Sequence, residues 1–247
     1  MKPRDALRAV QDLASSQWGL LTTPQARSLG ATAAQLARFA EQGALVRLQH
    51  GLYVVAGVPF DRHRNLQAAW LALDPRVPAY ERINTPGVPV VSHASAAELH
   101  GLGDIEADIL EFTVGTRKQS RREDVRIHRG QVPKTDWTQT SGLPVTTPAR
   151  TVVDLAAVGI DGGHLAVVAR DAIIRAGVSM EQLGRRLAPF AAKYGAPAGD
   201  GRALLNRFLD EAGIPVVSEQ LASNRVQEIM DQLAGTAARP LSPQAND

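Results

Sequence analysis

Residues 23–55 constrain the fold of this chain more than any other stretch, because capping and turn signals follow one another there. Thr23 can cap a helix that opens with Pro24, at a position where the missing proline N–H costs nothing. Gly30 suits the left-handed backbone conformation that ends many helices. We therefore predict that this stretch begins with a short helix and a tight turn.

A second helix is predicted directly after that turn. Thr32 is suited to cap it, and Gly43 is suited to end it just after Gln42. Leu36 and Phe39 fall on one face, at the spacing of an amphipathic helix. Four polar side chains fall elsewhere around the helix, where they can point outward: Thr32, Gln35, Arg38 and Gln42. Two short helices of this kind suit insertion of the second into a major groove.

A hairpin completes the stretch. Leu45–Gln49 and Leu52–Val55 flank His50-Gly51, a dipeptide suited to a two-residue turn. Leu48 and Tyr53 are expected to face the core of the module. Helix, turn, helix and hairpin together predict a winged helix-turn-helix, although similar pieces also occur in structural subdomains that bind no nucleic acid.

The expected DNA contacts follow from the geometry of such a module. The helix from Thr32 to Gln42 should enter the major groove, where Gln35 and Arg38 are long enough to reach base edges. The residues expected to touch phosphates or the minor groove are Thr22, Thr23, Arg27, Arg47 and His50. For the two threonines, helix capping is the main role that we expect.

The composition is ordinary for a globular protein, with 44% apolar and 21% charged residues among 247. No apolar run approaches the roughly 20 residues that span a bilayer, and residues 1–10 lack the apolar core of a secretory signal. The absence of cysteine excludes disulfides and thiolate zinc sites and fits a reducing compartment. We therefore expect a cytoplasmic protein with no membrane partner.

Positive charge is concentrated in two blocks, although the formal net charge is only +2. Residues 1–56 carry six Lys/Arg against three Asp/Glu, and residues 117–134 carry seven against two. In the second block the possible contacts to DNA or to an acidic partner are Arg117, Lys118, Arg121, Arg122, Arg126 and Arg129. A solvated hairpin tip is the third possibility, and the adjacent Glu123 and Asp124 weaken the case for phosphate.

The rest of the chain predicts an α+β fold in which a larger mixed domain with a helical end follows the winged module. Val58-Pro59 is interpreted as the hinge between a DNA-binding domain of residues 1–57 and a second domain of residues 58–235. The proline-rich residues 76–89 predict an exposed, irregular loop. Short strands are expected at 90–91, 108–114, 125–129 and 143–146, the third returning from the second as a hairpin.

Helical patterns dominate the remainder. A helix opens at Thr147-Pro148, and Arg150 and Asp154 within it are expected to form a modest surface pair. An apolar stripe follows Gly163, Ser179 can cap the next helix, and further helices are expected at about 202–212 and 218–234. Residues 236–247 are small and polar with two prolines, so we expect a disordered tail.

Taken in order, these segments resemble the AbiEi family of antitoxins from type IV toxin–antitoxin (abortive infection) operons. The matching pieces are the winged module ending in HGLYVV, SHASAAELHGL at 92–102, the strand and Arg-rich segment at 112–129, and GLPVTTPARTVVDLA at 142–156. The resemblance implies that the N-terminal domain binds inverted repeats in the promoter of its own operon and represses it. It also implies that the C-terminal domain neutralises a cognate nucleotidyltransferase-like toxin.

No signature of catalysis accompanies this pattern. Glycine-rich phosphate loops and serine nucleophile elbows are absent from the sequence, so we expect no catalytic residues and no cofactor. His93 and His100 have only Glu98 nearby as a further ligand, and we interpret them as structural histidines rather than a metal site. Two other functions stay open: a ligand-sensing winged-helix transcription factor, and a kinase that inactivates the toxin by phosphorylation.

Overall fold

The computed structural model describes residues 2–120 and 122–213 in two compact units. The first unit extends to Gly159, and the second begins at Ile160. The fold is mixed α+β, with two sheets in the first unit, as the sequence predicts. The expected helix at 218–234, the expected disordered tail and Arg121 lie outside the described residues.

The winged helix-turn-helix occupies the start of the first unit. Its elements are α1 Pro3–Ser15, β1 Leu20–Thr22, α2 Thr23–Ser28, α3 Ala33–Glu41, β2 Leu45–Gln49 and β3 Leu52–Val55. β3 lies between β1 and β2 and pairs with both in antiparallel fashion. Buried side chains of α1 and α3, including Val10, Leu36 and Phe39, form the core beneath this sheet.

A five-stranded sheet follows in the same unit. The elements are α4 Arg64–Leu73, α5 Ala79–Ile83, β4 Val90–Val91, α6 His93–His100, β5 Leu110–Val114, β6 Val125–Arg129, β7 Trp137–Thr140, β8 Leu143–Thr146 and α7 Pro148–Val158. The strand order is β6-β5-β4-β8-β7. A turn through Ser141 (φ 51°) and Gly142 (φ 76°) joins β7 to β8. Positive φ at both positions matches the right-handed twist of a hairpin.

The predicted hairpin at 112–129 is wrong, because β6 runs parallel to β5. Leu110 lies opposite Val125, and Val114 lies opposite Arg129. Residues 115–124 therefore carry the chain back to the starting end of β5 before β6 begins. The period-two alternation that identified both strands is the same for either direction, so it carries no information about orientation.

The predicted exposed loop at 76–89 is also wrong in part, because it contains the short helix α5. Within it, Arg82 is only 2% exposed. Its guanidinium lies 3.8 Å from the centre of the Trp70 ring and donates hydrogen bonds to the carbonyls of Trp70 (2.8 Å) and Leu71 (3.3 Å). These contacts hold the segment against α4.

Part of the small sheet also joins the hydrophobic core of the five-stranded sheet. Leu20, Leu52 and Val54 of the small sheet cluster with Trp70 of α4 and with strand residues of the large sheet. Trp18 packs edge-on against Trp70 at 6.1 Å between ring centres, and its indole N–H donates to the Ser141 carbonyl at 3.0 Å. The domain boundary at residue 57 stays a prediction, and the segment after it is part of a continuous core.

The second unit is helical over its described residues. It comprises α8 Gly162–Ile174, α9 Met180–Leu187, two 3₁₀ turns (Ala188–Phe190 and Ala192–Tyr194) and α10 Gly201–Glu211. Ser179 caps α9 through the backbone N–H of Gln182, as predicted. α9 and α10 approach closely at Gly201, where an added Cβ would lie 1.9 Å from the Gly184 carbonyl oxygen. Among the described residues, no helix is both long and apolar enough to span a bilayer.

Candidate nucleic-acid interface

The first helix of the helix-turn-helix is capped by Thr22 and not, as predicted, by Thr23. The Thr22 hydroxyl accepts from the Gln25 backbone N–H at 3.2 Å, and the Gln25 side-chain oxygen accepts from the Thr22 N–H at 3.1 Å. The Thr22 hydroxyl also donates to the Pro75 carbonyl, and the residue is 1% exposed. The Thr22 side chain is therefore buried, with its hydroxyl hydrogen-bonded inside the protein, and it cannot contact a phosphate as predicted. Thr23 is partly exposed, and its N–H donates to the Gly51 carbonyl at 2.8 Å.

A buried pair of glutamines anchors this helix. The Gln17 amide donates to the Gln25 side-chain oxygen at 2.7 Å, and the Gln25 amide donates to the Val77 carbonyl at 3.1 Å. The Gln17 oxygen accepts from the Ala79 N–H at 3.1 Å. The sequence pattern did not predict this buried network. The spacing Thr-x-x-Gln, present at both 22–25 and 32–35, was the available signal for the two caps.

The predicted recognition helix α3 exposes one polar face. Thr32 caps it as predicted, accepting from the Gln35 N–H at 3.1 Å, while the Gln35 side-chain oxygen accepts from the Thr32 N–H at 2.8 Å. The Gln35 side chain is thus folded back on the first turn. Arg38 is exposed one turn further along, as are Gln42 at the end of the helix and Arg27 on α2.

The wing presents a mixture of apolar and basic side chains. Arg47 and His50 are exposed, and the Arg47 Nη2 lies 3.2 Å from the His50 Nδ1. Tyr53 is 9% exposed, as expected for the core, but Leu48 is 39% exposed, and its predicted burial is wrong. The β2–β3 register shifts between Arg47 and Gln49, so Leu48 lies in a bulge that breaks the alternation of buried and exposed residues.

The second basic block adjoins the wing through Arg122. Its Nη1 donates to the Gln49 side-chain oxygen at 3.0 Å, while its Nε donates to Asp124 at 2.9 Å. The hydrogen bond from Arg122 lowers the pKa of the Asp124 carboxyl, so this cation is largely neutralised. The remaining described members of the block are Arg117, Arg126 and Arg129, which are exposed, and Lys118, which is partly buried.

His93 and His100 have separate structural partners. His93 is 5% exposed and stacks on His128 with ring centres 3.6 Å apart. The Glu111 carboxylate accepts from His128 Nε2 at 2.9 Å and from the Ala94 N–H at 2.9 Å, and thereby caps α6 in place of a Ser92 side chain. The His100 Nε2 lies 2.7 Å from the Thr146 carbonyl. No group of three metal-ligating side chains occurs within the described ranges.

The expected surface pair of Arg150 and Asp154 is partly buried instead, with Asp154 6% exposed. Arg150 Nε donates to Asp154 at 2.7 Å, and its Nη1 donates to Asp136 at 3.2 Å. Burial raises the pKa of Asp154, and the attraction of Arg150 offsets only part of that rise. The pair therefore ties α7 to the turn before β7, a role that helical spacing alone does not reveal.

Comparisons with known proteins agree with this architecture. A family model described as a transcriptional regulator and AbiEi antitoxin matches residues 8–56, and one described as the AbiEi antitoxin C-terminal domain matches residues 89–188. The crystal structure of the RV2827C protein from Mycobacterium tuberculosis is similar with a TM-score of 0.52, covering 87% of this chain and 79% of that one. Its sequence identity is 21%, so the likeness shows the fold alone. No curated protein matches the sequence.

Proposed function

Because this chain belongs to the AbiEi antitoxin family and carries that family's transcriptional-regulator domain, we propose that it represses its own operon and neutralises a nucleotidyltransferase-like toxin. DNA binding is assigned to the winged module, and toxin binding to the part that follows it. Inverted repeats in the promoter would then recruit two copies of the module, one to each half-site.

The observation that carries the DNA assignment is the exposed face of α3 beside an ordered wing. Arg38 is exposed on the helix that enters the major groove in such modules, and arginine is suited to bidentate contact with guanine. Arg27 and Arg47 are exposed on the flanking helix and wing, where phosphate contacts are usual. The contact between Arg122 and Gln49 brings the second basic block to the wing and favours an extended DNA footprint.

Replacing Arg38 by alanine should weaken binding to the DNA upstream of this gene by about 1–3 kcal/mol, or roughly 5- to 150-fold. The reason is the loss of one base contact from an exposed side chain that supports no core packing. Fluorescence anisotropy with the labelled promoter fragment measures the change. R8A is the matched control, because Arg8 is an exposed arginine on α1 of the same module.

Equal affinities for R38A, R8A and the unmodified protein would show that Arg38 of α3 does not contact the DNA.

Specific binding to the promoter DNA should also weaken steeply as the salt concentration rises, because phosphate contacts release counterions. An affinity that does not change between low and physiological salt would contradict a phosphate-rich interface.

R38A should still rescue cells that express a nucleotidyltransferase-like protein encoded beside this gene, because α3 is not assigned to the toxin. Point variants are preferable to deletion of residues 1–57, since deletion would uncover Trp70 and the core around it.

We further propose that neutralisation needs no catalysis, so the toxin's intact mass should stay unchanged after rescue. Gain of one phosphoryl group would establish the kinase alternative, and loss of rescue in a folded R38A would contradict the division of roles.

A further inference from the structure

A polar cavity of about 200 Å³ lies in the first unit, away from the α3 face. Its lining includes the end of α4 at Asp74, Arg82 of α5, Gly87 in the following loop, and Thr116 and Lys118 after β5. The volume is several times the ~30 Å³ share of one water molecule in the liquid. A small solute therefore fits.

The cavity is lined by two cations and one carboxylate. Arg82 is 2% exposed, and in the described part of the chain no carboxylate lies within ion-pair distance of its guanidinium. Its Nε is buried without a hydrogen-bond partner, although its other two nitrogens donate to carbonyls. Burying a charge that lacks an ionic partner is costly, so such a group favours an anion from solution.

Lys118 adds a second positive charge to the same lining. Burial lowers the pKa of Lys118, and Asp74 offsets part of that effect, whereas Arg82 reinforces it. Burial also lowers the pKa of Arg82 to about 10, which leaves it charged at neutral pH. Asp74 can compensate only one of the two cations.

We propose that this cavity is a binding site for a small anion with a phosphate or carboxylate group, held between Arg82 and Lys118. Hydrogen bonds between charged partners are the strong ones in proteins, and an anion would satisfy both cations at once. The Thr85 hydroxyl donates to the Arg82 carbonyl at 2.7 Å and helps to fix the α5 end of the site.

The segment that lines the site also anchors the helix-turn-helix. Directly after Asp74, the Pro75 carbonyl accepts from Thr22, the Val77 carbonyl accepts from Gln25, and the Ala79 N–H donates to Gln17. An anion bound at Arg82 would therefore stiffen the residues that hold α2 in place. This inference does not rest on the proposed toxin or promoter, because it concerns only residues 74–118 and their charges.

The test is a titration of the full-length protein with sodium phosphate and, separately, with sodium acetate, each against sodium chloride at matched ionic strength. Thermal unfolding should show a saturable stabilisation by at least one of the two anions, and the more effective one identifies the preferred group. K118M should weaken that binding by about tenfold or more, the effect expected for one charged hydrogen bond. R117M is the matched control, because Arg117 is exposed on the same loop and should leave the affinity unchanged.

D74N is the complementary variant. It removes the only carboxylate among the described lining residues, so it should tighten anion binding while K118M weakens it. Hydrogen exchange should slow in residues 74–89 of the unmodified protein when the anion is present. Equal responses in K118M, R117M and D74N, or no saturable response to either anion, would overturn the proposal.

Discussion

His93 combines a left-handed backbone conformation with almost complete burial. Its φ is 54°, a conformation that is uncommon outside glycine, although asparagine, aspartate and histidine adopt it more often than other residues. Its ring stacks on His128, and its Nδ1 lies 2.9 Å from the Ser92 hydroxyl. Burial is the main cause that lowers the pKa of His93 to about 4, and the neighbouring His128, Arg150 and Arg126 add to it, against the attraction of Glu111.

This pKa predicts acid sensitivity in a defined window. Between pH 6.5 and pH 4 the unfolded chain binds a proton at His93 that the folded protein does not, so stability is lost as the pH falls. The pKa of Glu111 is also lowered, since its bonds to His128 and Ala94 outweigh burial, and it adds to the loss at lower pH. H93N tolerates the positive φ and should flatten the profile by about 3 kcal/mol.

Urea denaturation at a series of pH values measures the profile. H50N serves as the control, because it replaces an exposed histidine on the wing, outside the cluster of His93, His128 and Glu111. The quantity compared is the slope against pH, which a loss of packing at His93 does not by itself change. A slope for H93N that equals the unmodified one would contradict this account of the cluster.

The helices α2 and α3 begin with the same capping box, which is buried in α2 and partly exposed to solvent in α3. Gln25 is 0% exposed and bonded to Gln17 and Val77, whereas Gln35 is partly exposed at the start of α3. Both glutamines close a reciprocal pair of hydrogen bonds with a threonine three residues earlier. A comparison of the two helices can therefore distinguish the contribution of a cap to the free energy of unfolding from that of a buried hydrogen-bond network.

Q25M should lower the free energy of unfolding by about 2–4 kcal/mol, because buried partners lose their hydrogen bonds to the amide. Q35M should lower it by about 1 kcal/mol or less, since water reaches that cap. Chemical denaturation of both variants measures the difference. Equal losses would show that the Gln17–Gln25 network adds nothing beyond capping.

The positions of β5 and β6 can be predicted from the sequence, but their relative direction cannot. Alternation places strands at 108–114 and 125–129, close to the observed bounds, and composition marks the intervening residues as a surface segment. The direction of β6 depends on whether the connecting segment returns to the starting end of β5 or turns back at its far end. The residues of the strand do not indicate which of the two occurs.

Across the first unit, the winged module has a core of its own and is also packed against the core of the five-stranded sheet. Trp18 lies between the Ser141 carbonyl and Trp70, and an added Cβ at Gly142 would lie 2.8 Å from the Trp18 indole nitrogen. Buried polar contacts from Gln17 and Gln25 reach residues 77–79. The helix-turn-helix is therefore connected to the segment beside the anion site through buried hydrogen bonds and packed side chains.

Features that depend on neighbours a few residues away could be predicted from the amino-acid sequence. These are the threonine cap of α3, the glycines that end helices, the His50-Gly51 turn and the amphipathic faces of the winged module. The burial of Arg82 and Gln25, the parallel direction of β6 and the bulge at Leu48 could not be predicted in this way. Capping and periodicity act through local backbone geometry, whereas burial and strand direction depend on partners that the chain brings together from distant positions.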